Sequence, residues 1–236
     1  MDDIVKQAMA KWPSVPACYG WLGLDARGRW YLRDEAAQAA GPFPQSRGAL
    51  LTHEKLIEFI HRNYEPDEAG QWFFQNGPQR VFVELECAPL VWRVADDFSV
   101  VAHTGRAAVV RECVLDESGR LYLACDMGAC RALGVESEKA PRRGQFLPDS
   151  PPHSGAMGQE AGKKWAAAAH SQPTMPKPDR LLGFGIVHSL DIVQAAQAVE
   201  LGLWTPQALR QAELPARYGY VLSPLARHLG AGPQRG

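Results

Sequence analysis

The chain has little of anything that commits a protein to one chemistry. Its formal net charge is −1, which gives no bias toward nucleic acid or an anionic membrane. The pairs Arg142-Arg143 and Lys163-Lys164 are too short to change that. No apolar run approaches the roughly 20 residues of a membrane span; the densest, Cys87 to Trp92, is the length of a strand. Met1-Asp2-Asp3-Ile4 puts no basic stretch ahead of an apolar one, so it does not read as a secretory signal. Cysteines are few and odd in number, five in all, and Cys125 and Cys130 are separated by four residues. Redox pairs and zinc ribbons use two, so reduced, buried thiols are expected. There is no phosphate loop, no H-E-x-x-H and no nucleophile signature. Together these absences predict a soluble cytoplasmic protein with no cofactor, no bound metal, no nucleic-acid partner and no membrane association.

What is present is strand. From Trp72 to Val94 aromatic and β-branched residues run up to Asn76-Gly77 and resume with alternation through Val81, Val83 and Leu85. An Asn-Gly pair between apolar runs is a strong hairpin signal, because both residues tolerate the positive φ of a tight turn. At 236 residues, 46% hydrophobic and 22% charged, the chain has material for a full core without staples.

Along the chain, Ile4 to Met9 is a short amphipathic stretch, and Trp12-Pro13 with Val15-Pro16 predicts a fixed loop. Tyr19 to Leu24 and Arg29 to Leu32 pair across Asp25-Ala26-Arg27-Gly28, while Arg33 to Gly48 lose periodicity and read as a polar connection. Thr52 caps a helix running to about Tyr64, with Leu56, Phe59 and Ile60 on one face. Strands follow at Leu90 to Val94, Phe98 to His103, Ala107 to Leu115 and Arg120 to Asp126, the last two joined by Asp116-Glu117-Ser118-Gly119. Regular short spacing argues for a curled antiparallel sheet or small barrel.

Pro141 to Pro178 holds seven prolines, four glycines and no valine or isoleucine. Such a segment cannot bury enough apolar surface to offset its ordering entropy. Beyond it, Leu182 to Val187 is strand-like, and Ser189 caps a helix to Leu201 with Ile192, Val193, Ala196 and Val199 along one stripe. Thr205-Pro206 opens a short helix to about Glu213, Tyr218 to Leu222 repeats the strand pattern, and Ser223-Pro224 starts a last helix. The expected organisation is a β-rich core over 1–135, a Pro/Gly-rich flexible insert over 136–180, and a β-α-α-β-α segment over 181–236 that packs on the core. The fold class is α+β: an antiparallel β-rich roll or partial barrel with one helix in its N-terminal half and a helical C-terminal segment. Predicted core positions are Trp21, Leu24, Leu56, Ile60, Val81, Val83, Leu85, Val109, Leu121 and Val193.

Candidate site residues are weighed against plainer readings. Glu84 and Glu86 share one strand face and are capable of acid–base work if burial separates their pKa values; a solvated sheet face opposite Arg93 or Arg111 is the plainer account. His103 and His188 end strands, where functional residues often sit, but neither has a partner at ligand spacing. Asp126 is a further carboxylate for an acid–base site. His53 and His61 read as helix-surface residues. Gly183-Phe184-Gly185 lacks the third glycine of a dinucleotide fingerprint. Trp72, Phe82 and the other strand aromatics read as core, with Trp72 and Phe82 partly exposed and, with His188, open to ligand contact.

Two stretches, Trp12-Pro13-x-Val15-Pro16-x-Cys18-Tyr19-Gly20-Trp21-Leu22-x-Leu24-Asp25 and Phe74-Gln75-Asn76-Gly77-Pro78-Gln79-Arg80-Val81, resemble an uncharacterised family of proteobacterial cytoplasmic proteins known only as a domain of unknown function. The resemblance covers Trp12 to about Leu133 and Leu181 to Leu225. More loosely, Asp25-x-x-Gly28-x-Trp30, the following helix and Glu86-x-Ala88-Pro89 are similar in order to a second bacterial family of unknown function, which implies a compact, β-rich, two-lobed protein. Neither resemblance implies an activity or a catalytic residue.

Two functional readings follow. The preferred one is a non-enzymatic module that binds a small molecule or a protein partner. The alternative is a hydrolase-type enzyme in which Glu84 or Glu86 approaches His103 or Asp126. The sequence leaves the oligomeric state open.

Overall fold

The computed structural model describes residues 2–128 and 182–230; the expected insert over 136–180 and Cys130 lie outside the described residues. The first sheet contains β1 (Cys18–Leu24), β2 (Trp30–Leu32), β3 (Ala49–Leu50), β4 (Tyr64–Pro66), β5 (Trp72–Asn76) and β6 (Gln79–Leu85), in the order β3-β2-β1-β6-β5-β4. The second contains β7 (Leu90–Val94), β8 (Val100–Ala102), β9 (Ala107–Leu115), β10 (Leu121–Asp126), β11 (Leu182–Val187) and β12 (Pro206–Ala208). Its order is β10-β11-β7-β8-β9-β12, and an additional ladder joins β9 to β10. That ladder closes five strands into a barrel, with β12 outside the ring. The helices are α1 (Asp3–Lys11), α2 (Glu35–Ala39), α3 (Glu54–Arg62), α4 (Ile192–Glu200), α5 (Leu214–Tyr218) and α6 (Pro224–Gly230).

The fold is therefore mixed α+β and mostly antiparallel, as the strand and turn pattern predicts. Parallel ladders occur at β1–β6, β7–β11 and β9–β12. The strands between Tyr19 and Asp126 fall into two sheets, which share one core cluster running from Leu22 and Val83 to Trp92 and Tyr122. Burial of apolar surface from both sheets, at about 25 cal/mol per Å², holds them together.

Turn chemistry fixes the register. In the β1–β2 turn, Asp25 Oδ1 accepts the N–H groups of Arg27 and Arg29, each at 2.9 Å. Its Oδ2 accepts from Arg29 Nε at 2.7 Å and from the Tyr31 hydroxyl at 3.2 Å. The β9–β10 turn does the same with Asp116, Ser118, Arg120 and Tyr122. In the β5–β6 hairpin Asn76 pairs with Gln79, so the turn residues are Gly77-Pro78, and Gly77 alone takes positive φ, at +56°.

Several local expectations are corrected. The connection after Arg33 contains α2, because Asp34 Oδ1 accepts the Ala37 N–H at 2.8 Å and caps a single turn. The cap of α3 is His53, whose Nδ1 accepts the Leu56 N–H at 3.2 Å, and not Thr52. Pro206 opens the edge strand β12 in place of a helix; at an edge its missing N–H leaves no ladder bond unmade. Tyr218 to Leu222 form no strand: α5 ends at Tyr218 and is capped by Gly219, whose φ is +66°. The aromatics there pack instead, Tyr218 stacking on Phe184 at 3.9 Å and Tyr220 donating to the Cys87 carbonyl at 2.9 Å. In α4 the buried residues are Ala195 and Ala198, while Val193 is 64% exposed.

Candidate functional site

The feature that sets this structure apart starts at Gly20. The parallel register between β1 and β6 jumps from Cys18↔Val81 to Leu22↔Val83, so β1 carries two extra residues there. A bulge of this kind turns a side chain out of its alternating place. Gly20 takes φ +79°, and a Cβ on it would lie 2.6 Å from Gln38 Oε1 and 2.8 Å from Leu225. With Gly20 facing α2 and α6, Trp21 and Leu22 both turn toward the α3 side, where they line the same cleft. Trp21, expected in the core, is 45% exposed.

The cleft has a volume of about 370 Å³. Its walls come from Leu22 and Leu32 on β1 and β2, Phe74 and Val81 on the β5–β6 hairpin, and Leu56 and Ile60 on α3. Leu56 and Ile60 are four residues apart and so share one helix face. Polar groups enter from Arg33, Asp34 and Asn76. A mostly apolar concavity with a few polar groups is the usual build of a small-molecule site.

Arg33 is 1% exposed, and its guanidinium is held by backbone carbonyls. Nε donates to Ser46 at 3.0 Å, one terminal nitrogen to Gly20 at 3.1 Å, and the other to Gly41 at 2.6 Å and Ala37 at 3.5 Å. Burial holds its pKa below the usual arginine value, with the Glu84 charge acting in the opposite sense. Burial pushes Glu84 up, against the Ser223 hydroxyl, the Leu225 N–H and the Arg33 charge. Both side chains are buried, and each charge favours the ionised form of the other.

The family model described as Protein of unknown function (DUF2946) matches residues 1–225. The chain belongs to this family. No functionally curated protein matches it. Among solved structures it is similar to a DUF1285 family protein from Silicibacter pomeroyi DSS-3, at 13% identity over 53% of this chain and 73% of that one, with a TM-score of 0.33.

In this family member the residues singled out from the sequence fall in separate places. Glu84, 3% exposed, accepts from the Ser223 hydroxyl and from the Leu225 N–H at 3.0 Å, so it caps α6. Glu86 lies past the end of β6 and accepts from Arg47 at 3.2 Å and from the Ala26 N–H at 3.3 Å. Asp126 is buried and pairs with Arg111 at 3.2 Å. His188 caps a short 3-10 turn, its Nδ1 accepting the Leu190 N–H at 3.1 Å. Trp72 and Phe82 are not partly exposed but buried: Trp72 packs on Tyr64 at 4.8 Å, and Phe82 stacks on Tyr19 at 4.6 Å.

His103 joins an aromatic cluster between the two sheets. Its ring centroid lies 5.3 Å from that of His61, 5.9 Å from Trp30 and 6.0 Å from Tyr64. The Val91 N–H donates to His103 Nδ1 at 3.2 Å, and Trp30 Nε1 donates to His61 Nε2 at 2.9 Å. In the neutral form His103 therefore carries its proton on Nε2, which is inaccessible and has no hydrogen-bond partner. Burial, reinforced by the His61 charge, pushes the His103 pKa down to about 3.

Sequence reasoning overlooked Asp34, treated Asn76 only as a turn residue, and placed Trp21, Leu56 and Val81 in the core. One signal was available. Tyr19-Gly20-Trp21-Leu22 breaks strand alternation with a glycine followed by two large apolar residues, which is how a bulge reads in sequence. Among the described residues no group of three or more His, Cys, Asp or Glu side chains is placed to hold a metal ion. No helix among them is long and apolar enough to cross a membrane.

Proposed function

We propose that the protein is a non-enzymatic cytoplasmic module that binds an apolar small molecule in the Trp21 cleft. The observation that carries this reading is the bulge at Gly20, which spends backbone regularity on holding an indole at the mouth of an apolar concavity. Strand irregularities and positive φ cluster where a side chain must be re-aimed. The free thiols of Cys87, Cys113 and Cys125 fit a reducing compartment.

Titration of the full chain with Nile red, an uncharged apolar dye, tests the reading. Saturable fluorescence enhancement at one site is expected. Val81→Trp, which fills the cleft, should weaken binding by about tenfold or more, while a thermal melt confirms folding. Equal binding by the variant, or no saturable binding by the parent chain, would overturn the assignment.

A further inference from the structure

The cleft has a polarity that narrows what it takes. Of its ten lining residues only Arg33 and Asp34 carry charge. The Arg33 guanidinium is already committed: Nε and both terminal nitrogens donate to the carbonyls of Gly20, Ala37, Gly41 and Ser46. Asp34 is the reverse case. Its side chain is exposed, and its one hydrogen bond uses Oδ1, which caps α2 through the Ala37 N–H. Oδ2 is left as an open acceptor bearing negative charge.

Two further features favour a cation over an anion at this mouth. The face of an indole is negative and attracts ammonium groups, and Trp21 lines the cleft with 45% of the residue exposed. Asn76, the remaining polar residue, is neutral and serves donors and acceptors alike. A carboxylate ligand would meet the Asp34 charge with no free guanidinium to offset it.

Resting on the cleft reading above, we infer that the ligand is an apolar amine, its hydrocarbon or aromatic body against Leu22, Leu32, Leu56 and Phe74 and its ammonium group at Asp34. The site takes the protonated amine without chemical change. It selects against fatty acids and other apolar anions of the same length.

Competition of n-octylamine, 1-octanol and octanoate against Nile red on the full chain at pH 7 tests this, because the three differ only in the head group. The amine should displace the dye about fivefold more tightly than the alcohol, the size of a partly exposed charge pair, with octanoate weakest. Asp34→Asn keeps a good N-cap and removes only the charge. In that variant the gap between amine and alcohol should close. Octanoate binding as tightly as octylamine, octanol matching the amine, or a gap that survives in Asp34→Asn would each overturn the amine assignment and leave the cleft in place. Failure of all three compounds to displace Nile red would remove both.

Discussion

Asp25 and Asp116, 91 residues apart in the chain, hold the same set of four donors in two different sheets. Each accepts two backbone N–H groups from its own turn, an arginine four residues on and a tyrosine hydroxyl six residues on. The sequences around them coincide: Leu24-Asp25-x-x-Gly28-Arg29-x-Tyr31-Leu32 and Leu115-Asp116-x-x-Gly119-Arg120-x-Tyr122-Leu123. The two sheets thus reuse one hairpin whose carboxylate is buried, 2% exposed for Asp25 and 5% for Asp116.

Asp25→Ala and Asp116→Ala should each destabilise the fold by on the order of 3 kcal/mol, because a buried tyrosine hydroxyl and several donors lose their acceptor. For Asp116 burial acts to raise the pKa, but the Arg120 and Ser118 N–H groups, the Tyr122 hydroxyl and the Arg120 charge outweigh it and the net shift is downward. The unfolded chain therefore takes up the proton first, and this share of stability, present above the unfolded carboxylate pKa of about 3.9, is lost as pH falls further. Urea denaturation at pH 7 and pH 3.5 reads both effects.

His103 gives a second pH dependence in a higher range. Its folded pKa, about 3, lies below the ordinary value of 6.5. Between those values the unfolded chain binds more protons, so stability is complete above about pH 6.5 and falls as pH drops toward 3. His103→Phe should flatten the loss between pH 6.5 and 4.5 by on the order of 1–2 kcal/mol. An unchanged slope in denaturation curves across that range would show that His103 is already protonated or solvated in the folded protein.

Gly20→Ala should be among the costlier small substitutions. A methyl group there meets Gln38 Oε1 at 2.6 Å and Leu225 at 2.8 Å, on a backbone with φ +79°. A loss of about 1–2 kcal/mol is expected, mainly from the left-handed backbone because both contacts are to flexible side-chain ends, together with weaker Nile red binding as the bulge relaxes and Trp21 shifts. Calorimetric melting with dye titration on the same sample separates the two consequences.

Cys87, Cys113 and Cys125 should stay unmodified by iodoacetamide until the chain unfolds. All three are buried, and burial pushes the Cys87 and Cys113 thiols up to about 11 and that of Cys125 higher still. The thiolate is the reactive species. Peptide mapping after a native pulse would show early alkylation at these positions if the barrel opened readily.

The sheet architecture was readable wherever local chemistry decides it. Alternation in β6 and the aspartate–glycine turns placed the strands of Tyr19 to Leu32 and Ala107 to Asp126 near their observed positions. Sequence comparison of the two turns would also have revealed their kinship. What was not readable falls below the length of a periodic pattern or depends on packing. The one-turn helix α2, capped by Asp34 and tied to the Arg33 guanidinium through Ala37 and Gly41, is too short for helical periodicity to mark it. In α4 the large residues suggested the wrong face, since close packing selected Ala195 and Ala198 and left Ile192 and Val193 outside. The cleft was missed for a related reason. Leu56 and Val81 are apolar and face inward, but hydrophobicity does not report whether the space before them is filled.

The barrel also imposes an order in time. β11 lies between β10 and β7, antiparallel to one and parallel to the other, so the ring cannot close until residue 187 has left the ribosome. The β1 to β6 sheet draws all its strands from residues 18–85 and can assemble earlier. During the interval the edges of β7 and β10 await a partner from much later in the chain. Such edges are where a growing polypeptide is most exposed to wrong pairing, so the hazard in this fold is concentrated in the synthesis of its second half.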